Sequence, residues 1–185
     1  ELNEYADVTA DDFVFGAEWI LTPANESDNV DTLANVIVNA KEYFDGTVTD
    51  FAEVGVKALD EHTLQYTLKD TCPYFLSMMT YVAFMPANRQ FVGECGEYYG
   101  TSNDTLLYNG AYYCTSWEPQ NELVMERNDN YWDAENVSIK TVYGKYNAEA
   151  EALAPEMYLR GEIDEATIPV EILDSWMNDP EKQNI

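Results

Sequence analysis

Histidine and basic residues are scarce in this chain. Of its 185 residues, one is histidine, 9 are lysine or arginine and 35 are aspartate or glutamate, so the formal net charge is −26 at pH 7. Such an excess of negative charge repels phosphate backbones and anionic lipid headgroups. The composition therefore disfavours nucleic acid and membrane surfaces as partners. We interpret most of the carboxylates as a solvated surface that keeps the chain soluble.

The cysteine and histidine patterns of metal and redox sites are also missing. Cys72, Cys95 and Cys114 show no Cys-x-x-Cys spacing, and no histidine stands near them. We therefore expect no metal site, no cofactor and no catalytic group, and we interpret the cysteines as small buried hydrophobes. The single histidine, His62, is expected in a surface turn, because no partner for a catalytic base is suggested.

A long apolar run and an N-terminal leader are absent as well. The longest mostly apolar stretch, Tyr74 to Met85, is interrupted by Ser77 and Thr80. It is shorter than the ~20 residues that a membrane-spanning helix needs. The first five residues contain neither a basic nor an apolar leader region, so we expect a signal peptide to be absent or already removed.

Helical spacing predicts several helices. Thr9 and Asp12 have the spacing of a capping box, which predicts a helix from Ala10 to Leu21. Apolar residues then recur on one face from Val30 to Phe44, which predicts one second helix capped by Asp28 or Asn29. Further helices are predicted near Tyr74 to Thr80, Asn88 to Tyr98 and Ala148 to Arg160, the last kinked or restarted at Pro155, and after Pro169.

Alternating patterns predict the strands. A β-hairpin is expected from Val54 to Leu68, with His62 at its tip. The other predicted strands are Ala111 to Trp117, Glu122 to Glu126, Ile139 to Tyr146 and Ile163 to Ile168. We expect the hairpin and the strand Ala111 to Trp117 to share one sheet, because neither can bury an apolar face alone. Trp117 and Trp132 are expected to be largely buried.

Short motifs follow one another along almost the whole chain. They are Thr9 to Phe13, Gly55 to Asp60, Pro73 to Phe75, Asn109 to Tyr112, Trp117, Glu126 to Asn128, Tyr131 to Asp133 and Gly161 to Asp164. Each is weak alone, but the ordered series resembles the solute-binding proteins of peptide-type ABC transporters, the oligopeptide- and dipeptide-binding proteins of family 5. Two departures are Ala111 and Asp129, which stand where the family often has proline.

The resemblance implies a mixed α/β fold (α+β) of the periplasmic-binding-protein type II, of which this chain would be a fragment of the first lobe. Residues 1–117 would form the smaller subdomain of that lobe, and residues 118–185 a partial return segment of its main sheet. The family implies a non-enzymatic, monomeric, extracytoplasmic receptor that is lipid-anchored at full length. Such a receptor captures oligopeptides and delivers them to a membrane permease.

Two asparagines are candidate ligand-binding residues. Asn29 stands where the family often places a tyrosine that touches peptide main chain, and an amide can still donate and accept hydrogen bonds. A plain helix cap is the alternative for Asn29. Asn109 precedes Gly110, where a polar side chain and a glycine favour either a structural turn or a binding role.

Other functions remain open on the sequence alone. An oligosaccharide, nickel or haem receptor could use the same scaffold, although one histidine makes a metal or haem ligand less attractive. An extracellular glycosidase is a candidate from another class, since carboxylates are abundant and aromatic rings stack on sugars. A calcium-dependent adhesive domain is suggested by the acidic run from Asn25 to Asp31, which lacks the loop spacing of known calcium sites.

Overall fold

A computed structural model describes residues 7–180 and 182, apart from the side chain of Glu151. The chain forms two compact units, Glu1–Leu107 and Tyr108–Ile185. The division after Leu107 precedes the predicted boundary at residue 117. The reason is that the strand beginning at Tyr112 pairs with the strand that follows it, so the whole strand belongs to the second unit.

Unit 1 begins with helix α1 (Ala10–Leu21), as the capping pattern predicted. The backbone N–H of Thr9 donates to Asp12 Oδ2 at 2.7 Å, which closes one half of the capping box. The helix buries Phe15, Ala17, Ile20 and Leu21, which recur at helical spacing. It packs against the first β-strand and against a short 3-10 turn at Val82–Phe84. Helix α1 is therefore the centre of the core of unit 1.

The predicted second helix is two short helices, α2 (Val30–Ala34) and α3 (Ala40–Phe44). Between them Ile37 forms a bridge with Leu68, and Val38 donates its N–H to the carbonyl of Thr67 at 3.0 Å. Val36, Ile37 and Val38 are β-branched and favour an extended backbone. The prediction of one continuous helix was wrong because tertiary pairing with the hairpin satisfies these backbone groups better.

The hairpin consists of strands β1 (Val56–Asp60) and β2 (Thr63–Tyr66), and its prediction is confirmed. Val56 pairs with Tyr66, and Asp60 pairs with Thr63 at the turn. The N–H of His62 donates to Asp60 Oδ1 at 2.9 Å, and this bond holds the pKa of Asp60 below its ordinary value. His62 is exposed at the tip of the hairpin, as expected.

The remaining regular elements of unit 1 are short helices. Helix α4 (Phe75–Met78) follows Pro73, and α5 (Arg89–Cys95) begins where the Asn88 side chain accepts the N–H of Phe91 at 2.9 Å. Arg89 joins α5 to α1, because its guanidinium lies 2.7 Å from Glu18 Oε2 and 4.2 Å from the centre of the Phe15 ring. Both helices are shorter than the predicted ones.

Unit 2 contains a three-stranded antiparallel sheet of β3 (Tyr112–Glu118), β4 (Glu122–Arg127) and β5 (Thr141–Lys145), in that order. The three strands were predicted, but β3 does not join the hairpin of unit 1, so the prediction of one shared sheet was wrong. The tight turn after Glu118, with Gln120 at a φ of 60°, returns the chain directly onto β3. Strand β4 is therefore the nearest partner for β3.

Two helices complete unit 2. Helix α6 (Ala150–Leu159) runs through Pro155, so a restart at this proline is excluded, and Gly161 at a φ of 70° follows its end. Helix α7 (Val170–Met177) follows Pro169 as predicted. The predicted strand Ile163 to Ile168 does not form, because this segment has no pairing partner among the described residues.

Candidate functional site

Asn29 lies at the start of α2. The helix begins directly after it, as predicted, and its carbonyl accepts the N–H of Thr32 at 3.2 Å. Its side chain, however, makes no capping hydrogen bond, and the residue is half-exposed. The amide of Asn29 therefore keeps its donors and acceptor available, whereas a side-chain cap would have used the acceptor.

Asn109 is exposed in unit 2, in the segment that leads into β3. Its neighbour Gly110 does not have a positive φ, so the freedom of glycine to adopt a left-handed backbone is not used there. Asn128 holds this segment instead. It donates from Nδ2 to the carbonyl of Gly110 at 3.0 Å, and its own N–H donates to the carbonyl of Ala111 at 2.8 Å.

Asn128 is a structural residue that sequence reasoning did not single out. It is the buried polar residue of the described chain, at 9% exposure. Its Oδ1 also accepts the N–H of Asn130 at 3.0 Å, so one amide joins the segment of Asn109 to the loop after β4. The signal was present, because Asn128 belongs to the Glu126 to Asn128 motif. The spacing alone did not show what the amide contacts.

The two tryptophans of interest are exposed, contrary to expectation. Trp132 is 84% exposed and Trp117 is 41% exposed. Trp132 follows the loop held by Asn128 and contacts the Tyr131 ring at 5.6 Å between centroids. The described elements of this chain cover Trp117 only in part and leave most of Trp132 exposed. The prediction of two buried tryptophans was wrong for that reason.

Unit 1 exposes several large apolar side chains within a stretch of sequence that has no charged residue. No charged residue lies between Asp70 and Arg89, the longest such interval in the chain. Within it, five large apolar side chains are exposed, and we call them the apolar ridge: Tyr74, Leu76, Tyr81, Val82 and Met85. Their apolar character was visible in the sequence, but it indicated a core position as readily as an exposed one.

Aromatic residues next to the apolar ridge in the sequence pack in the core of unit 1. Phe84 is buried, and Phe75 packs against the same core. The rings of Tyr66, Phe75 and Phe84 meet edge to face, with centroids 5.4 to 5.8 Å apart. Burial raises the pKa of the Tyr66 hydroxyl to about 12. The exposed side chains of the ridge therefore stand on a packed support.

The ion pairs between charged side chains contribute little to stability. The ion pairs of the described residues lie at or near the surface; an example is Lys41 with Asp45 at 2.8 Å. Pairs of this kind add little to stability. In residues 7–180 and 182, no group of three His, Cys, Asp or Glu side chains is placed to hold a metal ion. The cysteines are free thiols and half-buried, so they are less buried than expected.

No helix within the described residues has the length and apolar character needed to cross a membrane.

Known proteins share both the sequence and the fold. The chain is 38% identical over 142 residues to the oligopeptide-binding protein AmiA of Streptococcus pneumoniae, a match that covers 76% of this chain and 21% of AmiA. It is 32% identical over 169 residues to the oligopeptide-binding protein SarA of Streptococcus gordonii, which covers 90% of this chain and 25% of SarA.

A solved structure of an oligopeptide-binding protein also resembles this chain. The periplasmic oligopeptide-binding protein OppAIV of Borrelia burgdorferi superposes with a TM-score of 0.80 at 29% identity, over 95% of this chain and 35% of that one. The chain thus spans from about a fifth to about a third of the length of these relatives. The expected fold class is confirmed, since the chain shares the mixed helix and sheet fold of part of these binding proteins.

The sequence pattern of a family covers nearly the whole chain. The family is described as bacterial extracellular solute-binding proteins, family 5 Middle, and it matches residues 6–185. This match covers unit 1 from residue 6 onward, all of unit 2 and all the motifs that carried the resemblance. The chain belongs to the bacterial extracellular solute-binding proteins of family 5.

Proposed function

We propose that this chain is part of a receptor that captures extracellular oligopeptides and delivers them to the membrane permease of an ABC importer. The family match over residues 6–185 carries the proposal, because relatives that match most of this chain are named for oligopeptide binding. The chain itself has no catalytic role in this proposal. The receptor is monomeric and extracytoplasmic, and it is lipid-anchored at full length.

The proposal also assigns the chain a place in the receptor. In this proposal the chain forms part of the first lobe, with residues 1–117 as its smaller subdomain and residues 118–185 as a partial return segment of its main sheet; the coverage of about a third of the Borrelia structure supports a partial receptor. Extended peptides are bound chiefly through main-chain groups, which need fixed donors and acceptors. Asn29 supports this role because its amide is not used as a cap, and Asn109 because its side chain is exposed.

Mass spectrometry of the ligands that co-purify with the receptor at its natural length tests the proposal. A mixture of short peptides of different sequence is expected, because main-chain recognition is tolerant of side chains. A single defined glycan would contradict the proposal and would favour an oligosaccharide receptor on the same scaffold. Peptides eluted from a purified control protein of similar acidity give the background.

A further inference from the structure

Asn109 and Gly110 form the one Asn-Gly pair of the sequence. The backbone nitrogen of a residue can attack the side-chain amide of an asparagine that precedes it. Glycine hinders this attack least, because it has no Cβ and its backbone is conformationally permissive. The proposed function uses the amide of Asn109 for binding and assigns no chemistry to the pair.

Both reacting groups of this pair are accessible in the structure. Asn109 and Gly110 are exposed and lie outside the helices and strands, between the turn at Asn103–Thr105 and β3. No described residue accepts the N–H of Gly110, and none bonds to the side chain of Asn109. A Cβ built on Gly110 would meet nothing within 4 Å. The amide and the backbone nitrogen can therefore meet without first breaking a hydrogen bond of either group.

The Asp45–Gly46 pair shows the opposite arrangement. Aspartate followed by glycine can form the same ring, but here the N–H of Gly46 donates to the carbonyl of Tyr43 at 3.0 Å. The Asp45 carboxylate lies 2.8 Å from Lys41 Nζ, and its negative charge resists attack by a nucleophile. Because both reacting groups are occupied, this pair should resist the reaction that Asn109 and Gly110 permit.

We infer that Asn109 is a site of spontaneous deamidation. The deprotonated backbone nitrogen of Gly110 attacks the side-chain carbonyl carbon of Asn109. A carbon–nitrogen bond forms, and the side-chain nitrogen takes up a proton and leaves as ammonia. Water then opens the cyclic imide at either of its two carbonyls, which gives aspartate or isoaspartate. One water is gained and one ammonia is lost, so the reaction needs no oxidant or reductant.

The products change both the charge and the main chain at this position. Each product adds one negative charge to a chain that already carries −26. Isoaspartate also routes the main chain through the former side chain, which lengthens the backbone by one carbon before Gly110. The carbonyl of Gly110 accepts Asn128 Nδ2 at 3.0 Å. The isoaspartate product should therefore weaken the bond that holds this segment to the loop after β4.

Deamidation also changes the hydrogen bonds that residue 109 can make. An amide donates and accepts hydrogen bonds, whereas a carboxylate only accepts them. The modified chain therefore loses a donor at a residue that we propose as a peptide contact. This consequence rests on the proposed function, but the deamidation itself does not.

Peptide mapping by mass spectrometry tests the inference on the natural-length receptor, incubated at physiological temperature and at neutral and mildly alkaline pH. The parent is compared with Gly110→Ala, which keeps the amide of Asn109 but crowds the attacking nitrogen. Alanine fits the fold, because Gly110 has no positive φ and open space beside it. Asn109→Gln is a second variant, since glutamine would have to close a larger ring. Asp-N protease, which cleaves before aspartate but not before isoaspartate, distinguishes the products.

The expected result is progressive conversion of Asn109 in the parent, with isoaspartate among the products. The rate should rise with pH, because the attacking nitrogen must lose its proton. Gly110→Ala should slow the conversion by about tenfold, equivalent to a modest rise of the activation barrier. Asn109→Gln should prevent the conversion, and Asp45 should remain cleavable by Asp-N.

Two outcomes would overturn the inference. One is an Asn109 that stays intact in the folded receptor and reacts only after unfolding in urea, which would show that the folded protein protects the pair. The other is conversion at equal rates in the parent and Gly110→Ala, which would exclude attack by the backbone nitrogen. Neither outcome bears on the proposed function, because the co-purifying ligands are measured separately.

Discussion

Gly16 shows how a single missing side chain positions the apolar ridge. A Cβ at this position of α1 would lie 2.7 Å from the carbonyl oxygen of Met85, which is closer than real Cβ contacts allow. The glycine therefore permits the backbone of the ridge to approach α1. No flexible side-chain end can move aside, because the neighbouring atom belongs to the backbone.

We predict that Gly16→Ala lowers the free energy of unfolding by about 1–3 kcal/mol, as overpacking does in other cores. Gly93→Ala is the matched control, since Gly93 is exposed within α5 and a Cβ added there would meet nothing within 4 Å. Gly93→Ala should raise the free energy of unfolding by up to about 1 kcal/mol, because alanine has a higher helix propensity than glycine. Urea unfolding of both variants measures the difference. Equal effects of the two substitutions would contradict the close approach of Met85 to α1.

Tyr66 gives the aromatic support of the ridge a dependence on pH. Burial raises the pKa of its hydroxyl from 10.0 to about 12, so the folded chain holds this proton more tightly than the unfolded chain. The contribution of the protonated Tyr66 hydroxyl to the free energy of unfolding is fully present below about pH 10 and is lost as the pH rises through about 12. Burial also raises the pKa of Tyr99, and that residue should contribute to the same loss.

We predict that Tyr66→Phe reduces the loss of stability between about pH 10 and about pH 12, because the phenylalanine ring has no proton to release. The measurement is the free energy of unfolding in urea at several alkaline pH values. Tyr74→Phe, which changes an exposed ring, is the control and should follow the parent. An equal loss in Tyr66→Phe and the parent would mean that Tyr66 is not buried as the structure shows.

At the scale of elements, local signals were enough for α1, the hairpin and the strands of the second sheet. The capping box of Thr9 and Asp12 fixes the start of α1, and alternation fixes β1 to β5, because these signals come from neighbours in the sequence. The segment Val36 to Val38 was misread as helix. Its backbone hydrogen bonds to Thr67 and Lys69, which interrupt the helix, involve residues that lie about thirty positions later.

The candidate site was predicted less completely than the fold. The start of α2 after Asn29 was correct, but a helix-cap motif does not reveal that the side chain makes no capping bond. The apolar ridge and the exposed Trp132 were missed for a related reason. Apolar residues in a sequence indicate burial on average, and only the packing of the elements shows which of them remain exposed.

The loop after β4 provides a prediction at the scale of elements. Asn128 joins that loop to the segment before β3 through the carbonyl of Gly110 and the N–H of Asn130. Asn128→Ala should lower the free energy of unfolding by about 0.5–1.5 kcal/mol, because the hydrogen bonds of its side chain to two backbone groups are lost. The exposed Asn109→Ala, which removes an amide of the same size, is the matched control and should change stability little. Similar stabilities of the two variants in urea would contradict this role of Asn128.

At the scale of the whole molecule, both units expose large apolar side chains, such as Leu76 in unit 1 and Trp132 in unit 2. The chain also spans only 35% of the solved Borrelia relative. A flexible peptide must lose water on several sides before contacts offset the cost of ordering it. We therefore expect tight peptide binding to need more of the receptor than these 185 residues.

Titration calorimetry with mixed tri- to pentapeptides tests the central claim most directly, on this chain alone and on the receptor at its natural length. The account predicts micromolar or tighter binding by the natural-length receptor and no binding in the micromolar range by the isolated chain. Micromolar affinity in the isolated chain would place a complete site within these residues and contradict the partial-receptor assignment. A natural-length receptor that binds no peptide would contradict the account as a whole.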